Sequence, residues 1–166
     1  MRKIIYGDIN LKKLHLTDLS ECDLSDVDVT GDYHCSYNNL TSLKGAPQTV
    51  GADFWCISCD LTHLKGAPLT VDGSFYCNYN HITSLKGAPQ TVGGEFYCHS
   101  NHLTSLEGAP LYITSNFSCN SNPLTSLEGI PKTVSKDFYI RKELKNKFPE
   151  EYIRSMCKIK GYLLYV

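Results

Sequence analysis

One pattern of apolar and polar positions returns along most of the chain. LTSLKGAPQTV begins at residue 40, LTHLKGAPLTV at 61, ITSLKGAPQTV at 82, LTSLEGAPLYI at 103 and LTSLEGIPKTV at 124, a spacing of 21 residues each time. Phe54, Phe75, Phe96, Phe117 and Phe138 recur in register, and Cys56, Cys77, Cys98 and Cys119 stand two residues behind the first four. A third fixed position holds Asn38, Cys59, Asn80, Asn101 and Asn122. No insertion interrupts the run from 40 to 140. Self-similarity at a short fixed period marks a stacked array, not a globule around one centre.

The physics of one unit follows from its residues. Phe96 and Cys98 are two apart, so both lie on one face of a strand, while Glu95, Tyr97 and His99 lie on the other. Gly108, Ala109 and Pro110 then break regular pairing and turn the chain. Val92, Phe96, Cys98, Leu103 and Leu106 are the inward positions of that unit, each contributing about 1.5–3 kcal/mol when fully buried. A unit standing alone cannot bury that face, and backbone ordering costs about 1–2 kcal/mol per residue. The units must therefore stack and share a continuous core.

The ends carry weaker versions of the pattern. LTDL at 16–19 matches LTSL, and Val29, Tyr33, Cys35 and Asn38 fill the later positions after a three-residue insertion. Ile9, Leu11 and Leu14 take the Phe, Cys and Asn places of a still earlier unit. This predicts an N-terminal edge segment at 1–7 in which Ile4 and Tyr6 cover the first unit, an array of about seven strand units at 8–140, and a C-terminal cap at 141–166. In the cap, Pro149, Glu150 and Glu151 at one end and Lys158, Lys160 and Gly161 at the other predict a short helix. Ile153, Met156 and Cys157 form its apolar face, and with residues 162–166 it seals the open end of the core.

The string FYCHSNHLTSL at 96–106 resembles the leucine-rich repeat pattern L-x-L-x-x-N-x-L-x-x-L, with Phe and Cys at the first two Leu positions. The Asn place of that pattern also accepts Cys, as at Cys59. The short period and the Pro after the LTSL-like segment are similar to the 20- to 21-residue bacterial class found in effector proteins. The chain departs from it in using GAP after LTSL and in one extra residue between Val and Phe. Regular LTSLEGAP arrays also resemble ones found in tailed-phage genomes. What the resemblance implies is a mainly β repeat solenoid, a horseshoe whose parallel concave strands bind other proteins, with an extended convex side. It implies no catalytic machinery and no cofactor, and the catalytic ubiquitin-ligase domain that follows such repeats in effectors has no counterpart in the short segment after residue 140.

Eight cysteines invite a disulfide or zinc reading. Register explains most of them: Cys35, Cys56, Cys77, Cys98 and Cys119 form one column of small inward hydrophobes, and a disulfide or metal framework is the minor alternative. The CxxC of Cys56 and Cys59 places each member at its own repeat position, and no second CxxC completes four ligands. His81 and His102 share an outward position near His99; solvated surface residues are the plain reading and a metal site the sharp one. No phosphate-binding loop, nucleophile elbow, HExxH or dinucleotide fingerprint is present.

Composition narrows the picture further. A net charge of −1 and 20% charged residues give no global reason to bind nucleic acid or an anionic membrane. No apolar run approaches the length of a membrane span or of a signal peptide's core, so the expected location is the cytoplasm, that of a host cell if the chain is phage-encoded. The near-zero total hides a division, +4 on 141–166 against −5 on 1–140.

The outward strand positions carry the functional expectation. Asp8, Asp32, Asp53, Ser74, Glu95, Asn116 and Asp137 form a largely acidic column; His34, Trp55, Tyr76, Tyr97 and Tyr139 fall in the next; Ile57, Asn78 and His99 in the third. Acidic residues beside Trp and Tyr are the composition of a protein-binding hot spot that selects a basic partner. Like charges on adjacent strands repel, which argues against a purely structural origin. The rival reading is a solvated ladder in which the tyrosines stack on their own neighbours. The functional expectation is therefore a non-enzymatic interaction module whose concave face takes a protein with a basic patch, a host protein blocked by occlusion if the chain is phage-encoded. The alternatives are a protein that sequesters a small ligand or nucleotide, and a Cys/His metalloenzyme.

Overall fold

Phe, Cys, Leu and Val at fixed places in every unit can be buried together only if the chain coils, so that each residue sits over its equivalent one turn earlier. The computed structural model describes residues 2–166 and shows a parallel β-solenoid of about eight turns. Each turn gives one short strand to each of two eight-stranded sheets. The first sheet runs β1 (Lys3–Ile5), β3 (Val27–Val29), β5 (Thr49–Val50), β7 (Thr70–Val71), β9 (Thr91–Val92), β11 (Tyr112–Ile113), β13 (Thr133–Val134) and β15 (Lys158–Ile159). The second runs β2 (Ile9–Asn10), β4 (Tyr33–His34), β6 (Phe54–Trp55), β8 (Phe75–Tyr76), β10 (Phe96–Tyr97), β12 (Phe117–Ser118), β14 (Phe138–Ile140) and β16 (Leu163–Tyr165).

Pairing is in register throughout, with Phe54 beside Phe75, Phe75 beside Phe96 and Phe96 beside Phe117. The inward aromatic column is continuous: ring centroids of Tyr33, Phe54, Phe75, Phe96, Phe117 and Phe138 follow one another at 5.2, 5.2, 5.6, 5.9 and 4.9 Å. Cys35, Cys56, Cys77, Cys98 and Cys119 form the buried column beside it. The five positions of the unit at 92–106 read as inward are all buried.

Two corners hold the coil. At the first, Asn101 Oδ1 accepts the Ile82 N–H at 3.0 Å while its Nδ2 donates to the carbonyls of Cys77 and Cys98 at 3.0 and 3.1 Å. Asn80 and Asn122 repeat the arrangement, so a buried amide ties each turn to the one before it. At the second, Gly108 has φ +93°, and a Cβ there would lie 2.5 Å from the Leu85 carbonyl carbon. Left-handed backbone and lack of room both require glycine.

The structure departs from the sequence expectation in three places. The Thr-Val segments are strands: Val50, Val71, Val92, Ile113 and Val134 point into the core, and β-branched residues in register pair as a second sheet. There are about eight turns, one more than the seven units expected at 8–140, because the C-terminal segment adds β15 and β16. Of the expected edge segment at 1–7, residue 1 lies outside the described residues, and β1 supplies the edge strand; Ile4 and Tyr6 point away from the core, Ile4 being 52% exposed.

At the other end the cap is itself a turn of the solenoid. A seven-residue helix, α1 (Glu150–Met156), replaces the Asn and Gly corners, with Pro149 before it and Glu150 and Glu151 in its first turn. It ends at Met156, not Gly161, because Lys158 and Ile159 pair with Thr133 and Val134. Ile153 and Cys157 are buried, whereas Met156 is exposed. Among the described residues, no helix is long and apolar enough to cross a membrane.

Candidate functional site

The residues singled out from the sequence share the outer face of the second sheet. Two-residue strands point Phe inward and the following residue outward, which places His34, Trp55, Tyr76, Tyr97 and Tyr139 in one row across β4, β6, β8, β10 and β14. Asp32, Asp53, Glu95 and Asp137 stand just before those strands, and Ile57, Asn78 and His99 just after. All are half-buried except Asn78, which is buried at 6% exposure.

The rings form a continuous stack over four turns. His34 and Trp55 lie 5.3 Å apart, Trp55 and Tyr76 are stacked 5.8 Å apart with their planes nearly parallel at 6°, and Tyr97 meets Tyr76 edge-on at 5.4 Å. His99 extends the row sideways, 6.0 Å from Tyr97 and 5.1 Å from Tyr79. Ser118 interrupts the row, so Tyr139 and Asp137 stand apart from it; the Tyr139 hydroxyl donates to Asp137 Oδ2 at 3.4 Å.

The acidic column has a backbone role that its charge pattern did not reveal. Asp8 Oδ1 accepts the Asp32 N–H at 2.9 Å, Asp32 Oδ1 the Asp53 N–H at 2.9 Å, and Asp53 Oδ1 the Ser74 N–H at 2.6 Å. Ser74 Oγ continues to the Glu95 N–H at 3.1 Å, Asn116 Oδ1 to the Asp137 N–H at 3.1 Å, and Asp137 Oδ1 to the Tyr162 N–H at 2.8 Å. Each side chain satisfies an amide of the next turn, and this offsets the like-charge repulsion taken above as an argument against a structural origin. Ser74 and Asn116, outside the proposed site set, belong to this ladder. Their signal was the restriction of the column to Asp, Ser, Glu and Asn. Glu95 is engaged otherwise: Oε2 accepts the Tyr76 hydroxyl at 3.1 Å and Oε1 the Asn116 amide at 2.7 Å. The second oxygens of Asp32 and Asp53 accept no hydrogen bond among the described residues and complete the face.

Burial tunes the titratable groups of the row. It pushes the Tyr97 hydroxyl up to about 12, with the Glu95 charge adding to the effect, and raises Tyr76 for the same two reasons. It lowers His99, and lowers His34 with help from the Lys12 ammonium against the opposing Asp32 carboxylate. Both imidazoles are thereby held towards the neutral form.

The cysteines sit as the register places them. Burial raises the thiols of Cys35, Cys56 and Cys98 well above the ordinary range, which disfavours the nucleophilic and metal-binding thiolate. Cys59 fills the corner Asn place, its Sγ donating to the Cys35 carbonyl at 3.4 Å. His81 and His102 are exposed and stack at 5.4 Å. Among the described residues, no three His, Cys, Asp or Glu side chains are grouped to share a metal ion. Concavities of 460 Å³ over Lys44 and Lys65 and 380 Å³ over Pro123 and Arg141 lie at the corners, away from the aromatic row. No protein-family model, curated protein or solved structure matches the chain.

Proposed function

We propose that the chain is a non-enzymatic interaction module of leucine-rich repeat type that binds another protein on the outer face of its second sheet. The observation that carries the reading is the uninterrupted row His34, Trp55, Tyr76 and Tyr97, held on short paired strands and flanked by the uncommitted oxygens of Asp32 and Asp53. Rigid aromatic area beside negative charge is what a basic protein surface requires of its receptor. The horseshoe reading makes this face the concave one. It is supported by crowding: outward residues of the second sheet's strands are half-buried or buried from β4 to β16, whereas on the first sheet Thr91, Tyr112 and Lys158 are exposed, Tyr112 to 61%, beside half-buried Asp28, Thr49, Thr70 and Thr133. A bend gathers side chains on its inner side and spreads them on its outer side.

On this reading the partner carries Lys or Arg residues opposite Asp32 and Asp53, and the phage-like resemblance makes it a host protein met in the host cytoplasm. Affinity capture from the native cell tests it. Wild-type protein should retain one partner in near-stoichiometric amount, and the Trp55→Ala, Tyr97→Ala double variant should retain none while keeping its far-ultraviolet circular dichroism. Equal capture by the two would remove the aromatic row from the account.

A further inference from the structure

The corner that leads into the first sheet carries Lys44, Lys65, Lys86, Glu107 and Glu128 at the 21-residue period, all exposed. Their turns are in register, since the Leu43 N–H donates to the Lys65 carbonyl at 3.3 Å and the Leu106 N–H to the Glu128 carbonyl at 2.8 Å. Successive members therefore stand about 4.8 Å apart along the stack. At that spacing like charges repel and unlike charges attract, so alternation would suit an isolated chain. The order is segregated instead, three lysines and then two glutamates. A single pair joins the blocks, Lys86 Nζ to Glu107 Oε1 at 2.9 Å.

Beside this column apolar and polar side chains alternate, Leu69 and Leu111 with Gln90 and Lys132. Leu69, Leu111 and Tyr112 are exposed, and a groove of 340 Å³ runs past Pro89, Ala109, Pro110 and Leu111. Apolar area next to segregated charge describes an interface, and the charge order identifies the occupant. Read backwards, the run Lys65, Lys86, Glu107, Glu128 is its own complement, with Lys44 left beyond it, so a second copy of this chain fits in antiparallel orientation.

We propose that the protein forms a two-fold homodimer through this corner, with the axis between Lys86 and Glu107. Lys86 of each copy then faces Glu107 of the other, and Lys65 faces Glu128. The internal Lys86–Glu107 pair becomes part of a four-member network, and the exposed Leu69, Leu111 and Tyr112 side chains supply the buried area that exposed ion pairs lack. The aromatic row of the second sheet lies elsewhere on each copy, so the dimer presents two such rows whether or not they bind a partner.

Sedimentation equilibrium of the full chain, from micromolar to millimolar concentration, tests the proposal. The wild type should dimerise and should do so more weakly at high salt. Lys65→Glu with Lys86→Glu should raise the dissociation constant by at least about tenfold, and so should Glu107→Lys with Glu128→Lys. The chain with all four reversals should recover the wild-type value, because the complement is rebuilt with opposite sign. An equimolar mixture of the two double variants should form heterodimers. All four residues are exposed, and circular dichroism checks that each variant folds. A wild type monomeric at every concentration in low salt, open-ended growth beyond the dimer, or a four-fold reversal no tighter than the double variants would each overturn the proposal.

Discussion

Asp53 Oδ1 accepts the backbone N–H of Ser74, 21 residues further along the chain, at 2.6 Å. The acidic column is thus a set of clamps between turns as well as a source of charge, and the two roles are separable. Asp53→Ala should destabilise the fold by about 1–2 kcal/mol, because the amide of a buried residue loses its acceptor. Asp53→Asn keeps an Oδ1 in place and should stay within about 0.5 kcal/mol of wild type. Urea unfolding of the three proteins gives the comparison; equal loss in both variants would mean that charge, not the hydrogen bond, is what the fold uses.

Tyr33 heads the inward aromatic column, and its buried hydroxyl has no hydrogen-bond partner among the described residues. The equivalent places in the next five turns hold Phe. Removing an unsatisfied buried group relieves a desolvation cost, so Tyr33→Phe should stabilise the protein by about 1 kcal/mol. Calorimetric unfolding reads the sign directly, and destabilisation would contradict the burial assigned to this hydroxyl.

The buried thiols predict an alkaline limit. Burial raises Cys35, Cys56, Cys77, Cys98 and Cys119 above the ordinary 9.0 in the folded chain. The unfolded chain ionises near that ordinary value and releases its protons first. Stability is therefore complete below about pH 9 and declines above it, by up to about 1.4 kcal/mol per thiol per pH unit. Cys22, the exposed thiol, should react with a maleimide in the native protein, and the buried seven only on unfolding. Rapid native labelling of several thiols, or constant stability from pH 8 to 11, would contradict the buried column.

A small-ligand carrier would keep its cargo on gentle isolation. Native mass spectrometry of protein taken directly from cells should show the mass of the chain, single or paired, with no added small mass. A reproducible adduct lost from Trp55→Ala would favour sequestration of a ligand over capture of a protein.

Legibility in the sequence followed the reach of side-chain periodicity. Val92, Phe96, Cys98, Leu103 and Leu106 were visible as core because apolar residues recur there at constant spacing, and all are buried. The first sheet was hidden because strands of two residues, such as β9, are too short for alternation to declare them. The C-terminal turn was hidden by its length: Ile159 pairs with Val134, 25 residues back, because α1 is inserted in the corner. The aromatic row and its acidic neighbours were found as positions, yet the clamps could not be read from them. The target of Asp53 is a backbone amide one turn on, and a main-chain donor leaves no mark in residue identity.

The outer face of the second sheet as a binding surface is the central claim, and the affinity of the captured partner for purified variants tests it most directly. Titration calorimetry should show Trp55→Ala weakening binding by at least about tenfold, a hot-spot loss, and Asp53→Asn reducing its salt dependence, with both variants folded as the wild type. Dissociation constants and salt dependence unchanged in both, in proteins of unchanged stability, would contradict the account.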